Sequence, residues 1–188
     1  MAEHLNDIDL TSIKGFSDAV RANPAMGKLT MKAHSTWQRG TKALVTTGEC
    51  TVLGGQQLFA PTRQFALMVD DPAGLGGVDS APTPIETLMA ALAGCVTSGI
   101  ATNAAMFGVK RDGIDIEMDA DIDVRGVFGH DKSVRNGIGD IRYTVTIHSQ
   151  APEDKVRKCK ETIDRKSPIR DTIANPVNVT STLVYKPR

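Results

Sequence analysis

Cys95 lies in the middle of a stretch without a charged residue between Glu86 and Lys110. A thiol in such a place attacks an electrophile or a peroxide only when its sulfur is ionised. Three turns from a helix start, the backbone dipole gives almost no help with that charge. A reactive Cys95 therefore needs a cation beside it, an arginine before any other. Without one it is a small buried hydrophobe. Cys159 shares a helical face with Val156 and Ile163 and reads as core, while Cys50 falls where strand and turn signals conflict. Other reactive types are poorly arranged. His4, His34, His130 and His148 show no metal-ligand spacing, so no metal is expected. Ser98 and Ser181 stand without a base nearby, and Asp70 and Asp71 read as solvated loop charges. Leu53-Gly54-Gly55 and Leu75-Gly76-Gly77 are turn glycines, since neither leads into Lys-Ser/Thr or a GxGxxG helix start. The residues thus point to thiol chemistry without metal or bound cofactor, or to no chemistry at all.

The elements must explain how such a thiol is held. Thr83-Pro84-Ile85-Glu86 is a capping box with proline at the first helical position, and it starts a helix from Pro84 to about Phe107 that Gly108 stops. The uncharged run is long enough to cross a bilayer. Yet Thr87, Thr97, Ser98, Thr102 and Asn103 are polar, and Gly94 and Gly99 interrupt it. A helix buried in protein rather than lipid is expected. Small residues recur along it at Ala90, Gly94, Ser98 and Thr102, and beside them at Ala91, Cys95 and Gly99. Such rows let two helices approach closely. The expected partner is the same helix of a second subunit in a two-fold homodimer, the alternative being a helix that only crosses its own sheet.

Around it, Asp9 to Asn23 has an amphipathic helical pattern with Leu10, Ile13, Phe16 and Val20 on one face, so residues 1–28 are expected as a helical extension before a domain of residues 29–188. Strands are expected over Leu29 to about Thr47, with a hairpin at Arg39-Gly40, then at Phe65–Val69, Val109–Val124, Ile141–Ile147 and Asn178–Tyr185. Asp70–Pro82 and Arg125–Gly139 read as loops. A helix runs from Pro152 to about Lys166, and Ser167-Pro168 starts a shorter one. This β-β-β-α-β-β-α-β order means α+β with a largely antiparallel sheet.

Composition narrows the classes. The 188 residues carry 22 Lys+Arg against 22 Asp+Glu, and a zero balance offers no field for a polyanion, so no nucleic acid is expected. Aromatics make up only 4%, too few for base-stacking platforms. Three cysteines are far from disulfide-scaffold density, and the opening residues, with Glu3, Asp7 and Asp9, show no apolar leader; a reducing, cytoplasmic setting is expected.

Leu75-Gly76-Gly77, followed by Ala81-Pro82-Thr83-Pro84-Ile85-Glu86-Thr87-Leu88 and Ala93-Gly94-Cys95, resembles the OsmC/Ohr family. There a Gly-Gly loop leads into a (Ser/Thr/Asn)-Pro-x-Glu-x-Leu helix that carries Ala-Gly-Cys, and the resemblance covers roughly Leu29 to the C-terminus. It implies an intertwined homodimer with antiparallel sheets wrapped around a long central helix. It also implies a thiol peroxidase acting on organic hydroperoxides, with a dithiol as the thiol reductant. Cys95 would be the peroxidatic cysteine, Glu86 the glutamate that holds an arginine beside the thiol, and Arg39, in the turn after Trp37-Gln38, that arginine. In the family a second cysteine, in a Cys-Pro motif, condenses with the oxidised first. Here Ser167-Pro168 stands in its place, and a serine cannot form a disulfide. Cys159 is the weak substitute, about 12 Å from Ser167 along its helix. Two readings follow: a peroxidase, possible with one cysteine, or a non-catalytic dimer that binds an apolar small molecule.

Overall fold

A capping box fixes where the central helix begins. The structure, a computed structural model, describes residues 4–52 and 64–187. In it the Thr83 side chain accepts from the Glu86 amide while Glu86 reaches back to the Thr83 amide, and Pro84 opens the helix. This helix, α2 (Pro84–Met106), runs for 23 residues and ends where Gly108 turns at φ +69°; α1 (Leu10–Ala22) precedes it and is N-capped by Asp9. The helices α3 (Val124–Val127), α4 (Glu153–Lys166) and α5 (Pro168–Ala174) follow.

The strands form antiparallel sheets. β1 (His4–Leu5) pairs with β2 (Ile8–Asp9) in a small hairpin. Its turn residue Asn6 donates to the Val109 carbonyl at 2.9 Å and accepts from the Arg111 amide at 3.2 Å, which ties the N-terminal extension to the end of α2. β3 (Leu29–Arg39), β4 (Lys42–Val52) and β5 (Phe65–Val69) make a meander with Thr36 opposite Leu44 and Ala43 opposite Val69. β6 (Gly113–Ala120) and β7 (Ile141–His148) form the second hairpin. Alternation puts Ile114, Ile116 and Met118 of β6 and Tyr143, Val145 and Ile147 of β7 against a core of Leu92, Val96, Ile100, Ala104, Val109, Cys159 and Ile163. The mixed α+β class, antiparallel sheets and long central helix are those expected.

Several local expectations change. The strand foreseen over Val109–Val124 shrinks to Gly113–Ala120, because the Val109 amide bonds back to the Ala104 carbonyl at 2.8 Å and closes the helix end. The loop over Arg125–Gly139 contains the end of α3, capped by the Asp123 side chain. Glu49–Val52 belong to β4, so Cys50 is a buried strand residue opposite Met31, whereas Leu53–Gly55 lie outside the described residues. Asn178–Tyr185 form no strand: the segment pairs with no other among the described residues, and Val179, Leu183 and Tyr185 are exposed.

Candidate active site

Three contacts between α2 and α4 fix the position of Cys95. The Asn103 amide nitrogen donates to the Cys159 carbonyl at 3.2 Å. One turn earlier on α2, Gly99 lies directly under Ile163, where an added Cβ would stand 2.0 Å from Ile163 Cδ1. One turn earlier again, Cys95 Sγ meets Ser167 Oγ at 3.2 Å. Steps of four down one helix thus match steps of four up the other, which makes them antiparallel neighbours. One row of small residues, Cys95 and Gly99, therefore faces α4 of the same chain, where a second subunit was expected. The other row, Ala90, Gly94 and Ser98, is exposed, and a Cβ on Gly94 would meet nothing within 4 Å.

Ser167 is 1% exposed and caps α5, its Oγ accepting from the Arg170 amide at 3.1 Å. The same hydroxyl shares a hydrogen bond with the Cys95 sulfur, in which either atom is able to donate. Cys95 itself is half-buried. Leu92, one turn before it on the same face, enters a cleft of about 770 Å³ bounded by Ile85 and Leu88 of α2, Arg135 to Asp140, Ile141 and Tyr143 of β7, and Arg170 and Ile173 of α5. Aliphatic walls with a few polar groups suit a small, mostly apolar ligand. Arg170 donates to the Asp164 carbonyl at 2.9 Å and Tyr143 hydroxyl to the Asp164 carboxylate at 3.1 Å, and burial pushes the Tyr143 hydroxyl above its ordinary range. The cleft was not foreseen; its residues come from four separate segments, and only the apolar spacing Ile85, Leu88, Leu92 marks it in the sequence.

The other sequence candidates lie elsewhere. Glu86 Oε2 accepts from the Thr83 amide at 2.7 Å and from the Thr83 hydroxyl at 2.9 Å. These bonds, the amide first, hold its carboxyl below the usual range. It sits nine residues before Cys95, about 13.5 Å along the helix. Arg39 ends β3 and lines a smaller cleft with Thr41, Lys42, Asp70, Gly76 and Gly77. Among the described residues no hydrogen bond or ion pair joins Arg39, or any other cation, to Cys95. Cys159 is 1% exposed, gives its S–H to the Lys155 carbonyl, and burial pushes its thiol up. At the level of Asn103, it lies about 12 Å from Cys95 along α2. The described residues contain no His, Cys, Asp or Glu group able to hold a metal ion.

Asp70 corrects the sequence reading outright. It is 1% exposed, not solvated. Its carboxylate accepts from Ser80 hydroxyl at 2.7 Å and amide at 3.1 Å, from Thr41 hydroxyl at 2.8 Å and from the Asp71 amide at 3.0 Å. The Ser80 and Thr41 hydroxyls, in that order, hold its carboxyl far below the usual range against the opposing effect of burial. Asp70 thereby pins the Arg39–Thr41 turn to the loop that leads into α2. Gly77 in that loop admits no side chain, since a Cβ would fall 1.7 Å from the Asp71 carbonyl oxygen.

An α+β chain whose long capped helix presents a half-buried thiol to a hydroxyl-capped second helix defines a recognisable class of protein. The chain belongs to the OsmC-like family, whose model, described as OsmC-like protein, matches residues 77–182. Solved structures with the same fold include an OsmC-like protein from Mycoplasma pneumoniae, 14% identical, with 83% of this chain and 98% of that one covered at a TM-score of 0.56. An osmotic stress induced and detoxification response protein from Psychrobacter arcticus is 16% identical, with 78% and 90% covered at 0.55. An OsmC-like protein of unknown function from Vibrio cholerae is 13% identical, with 76% and 92% covered at 0.54. No curated protein matches the chain.

Proposed function

We propose that the protein is a homodimeric thiol peroxidase of the cytoplasm that reduces organic hydroperoxides at Cys95. The observation that carries this reading is the Cys95 sulfur held 3.2 Å from the Ser167 hydroxyl, one helical turn from an apolar cleft. The name of the Psychrobacter arcticus relative, a detoxification response protein, agrees with it.

The chemistry is an in-line displacement. The Cys95 thiolate attacks the terminal oxygen of a hydroperoxide whose apolar part rests in the cleft. The O–O bond breaks, the alkoxide leaves and takes a proton as an alcohol, and the sulfur becomes a sulfenic acid. Arg39 is the cation proposed to attend this step and Glu86 the carboxylate that holds it, brought together on dimerisation. Ser167 leaves the cycle with one cysteine.

A second copy supplies what one chain lacks. The chain exposes 13662 Å², where a monomer of 20.1 kDa would expose about 8,700 Å². All eleven residues of β3 are exposed, its outer edge pairs with no strand among the described residues, and the row Ala90, Gly94, Ser98 on the uncharged α2 stands open. Part of that excess is surface for a partner to cover.

Cumene hydroperoxide is expected to convert Cys95, alone of the three cysteines, to a dimedone-reactive sulfenic acid, and Cys95→Ser to abolish peroxide consumption. A Cys95 that iodoacetamide labels at pH 7 no faster than free cysteine, with no sulfenic acid formed, leaves the second reading: a dimer that holds an apolar molecule in the cleft without turnover. The substitution of Ser167 for a thiol favours that outcome if the first fails.

A further inference from the structure

Resting on the peroxidase reading, we infer that the cycle is closed by an external low-molecular-weight monothiol, captured on Cys95 as a mixed disulfide, and that Ser167 is the residue that sets this choice of reductant. Ser167 Oγ occupies the one position from which a side chain of this chain reaches the Cys95 sulfur among the described hydrogen bonds, at 3.2 Å. Its hydrogen bond steadies that sulfur but offers no second sulfur for it to join. The remaining thiols are out of reach. Cys159 is buried at the level of Asn103, about two turns along α2 from Cys95, with its S–H given to the Lys155 carbonyl. Cys50 is 1% exposed within β4. Cys95 is half-buried, and Leu92, one turn before it on the same face, lines the open cleft. A small thiol can therefore come to the oxidised sulfur from outside.

The steps balance. The monothiol R′SH attacks the sulfenic sulfur; an S–S bond forms, the S–O bond breaks, and hydroxide leaves with the thiol's proton as water. A second R′SH attacks the mixed disulfide, releasing R′SSR′ and restoring the Cys95 thiol. The sum is one hydroperoxide and two monothiols converted to alcohol, water and one disulfide.

The test uses the full-length protein, cumene hydroperoxide and glutathione, read by intact-mass and peptide spectrometry. After peroxide, wild type is expected to carry one glutathione on Cys95 and to turn over with glutathione as sole reductant. Ser167→Cys is expected to form an internal disulfide between Cys95 and the substituted position, since 3.2 Å is within the range that small rotations close. A tethered thiol outcompetes a free one, so the adduct should fall more than about tenfold in that variant. Reduction should then require dithiothreitol. A wild-type disulfide from Cys95 to Cys159, to Cys50 or to a second copy overturns the inference, as does a sulfenic acid that glutathione leaves untouched. Absence of any sulfenic acid would instead remove the peroxidase reading beneath it. Should Ser167→Cys not fold, the wild-type adduct decides alone.

Discussion

At the scale of single residues, Asp70 makes the clearest demand on pH. Its carboxylate is sealed among Ser80, Thr41 and the Asp71 amide, with no ion pair to a cation among the described residues. In the unfolded chain an aspartate takes up a proton near pH ~3.9; in the folded chain it does so only at far lower pH, because the hydrogen bonds favour the charged form. Below about pH 4 the unfolded state therefore binds more protons, and the stability this residue contributes, present above that range, is lost as pH falls. Asp70→Asn removes the charge at all pH values. Urea midpoints of wild type and Asp70→Asn should differ most near neutrality and converge as pH drops through 4 toward 3. A gap that stays constant over that range would mean that the carboxylate titrates alike in both states. Nothing local distinguishes Asp70 from Asp71 or Asp79, because Thr41 lies 29 positions before it and Ser80 10 after it. By contrast Ser167 was legible: a serine before a proline at a helix start announces a cap, whatever stands opposite.

Between elements, Gly99 sets how closely α4 approaches α2. A methyl group there collides with Ile163 at Cδ1 and Cγ1, at 2.0 and 2.4 Å, in a core where Ile163 is 7% exposed. Overpacking of this kind typically costs about 1–3 kcal/mol, against the ~1 kcal/mol that alanine gains over glycine in a helix. Gly99→Ala should therefore destabilise despite its better propensity. Ile163→Val shortens the colliding side chain, so the double variant should be less destabilised than the two single losses added together; strict additivity would place the contact elsewhere. The same comparison shows what the sequence could carry. The ends of α2 were written in local chemistry, Thr83 to Glu86 at one end and Gly108 at the other. The partner of its small-residue rows was not, because the register of α4 depends on the β6–β7 hairpin between them. Val109 illustrates the boundary error: an apolar β-branched residue reads as strand, but the open amide position beyond Gly108 lets it close the helix instead.

For the whole molecule, the C-terminal tail and β3 pose the same problem from two sides. Val177, Val179, Leu183 and Tyr185 alternate at period two, as a strand with one buried face would, yet they are 58%, 86%, 89% and 79% exposed. β3 offers an edge that pairs with no strand among the described residues and leaves Met31 and Trp37 70% and 71% exposed. Unpaired edges and apolar stripes of this length are costly to leave in water. If a second copy covers them, both change with association. Trp37 is the single tryptophan of the chain, which makes it an intrinsic reporter. Diluting the full-length protein should shift its emission to the red in step with a fall in sedimentation mass from twice 20.1 kDa toward 20.1 kDa. Removal of residues 176–188 should move that transition to higher protein concentration, since the tail's apolar face would no longer contribute to the contact. An emission maximum that is already red and independent of concentration in a protein of dimer mass would put Trp37 outside the interface. A transition unmoved by the truncation would show that the tail, for all its alternation, plays no part in holding two chains together.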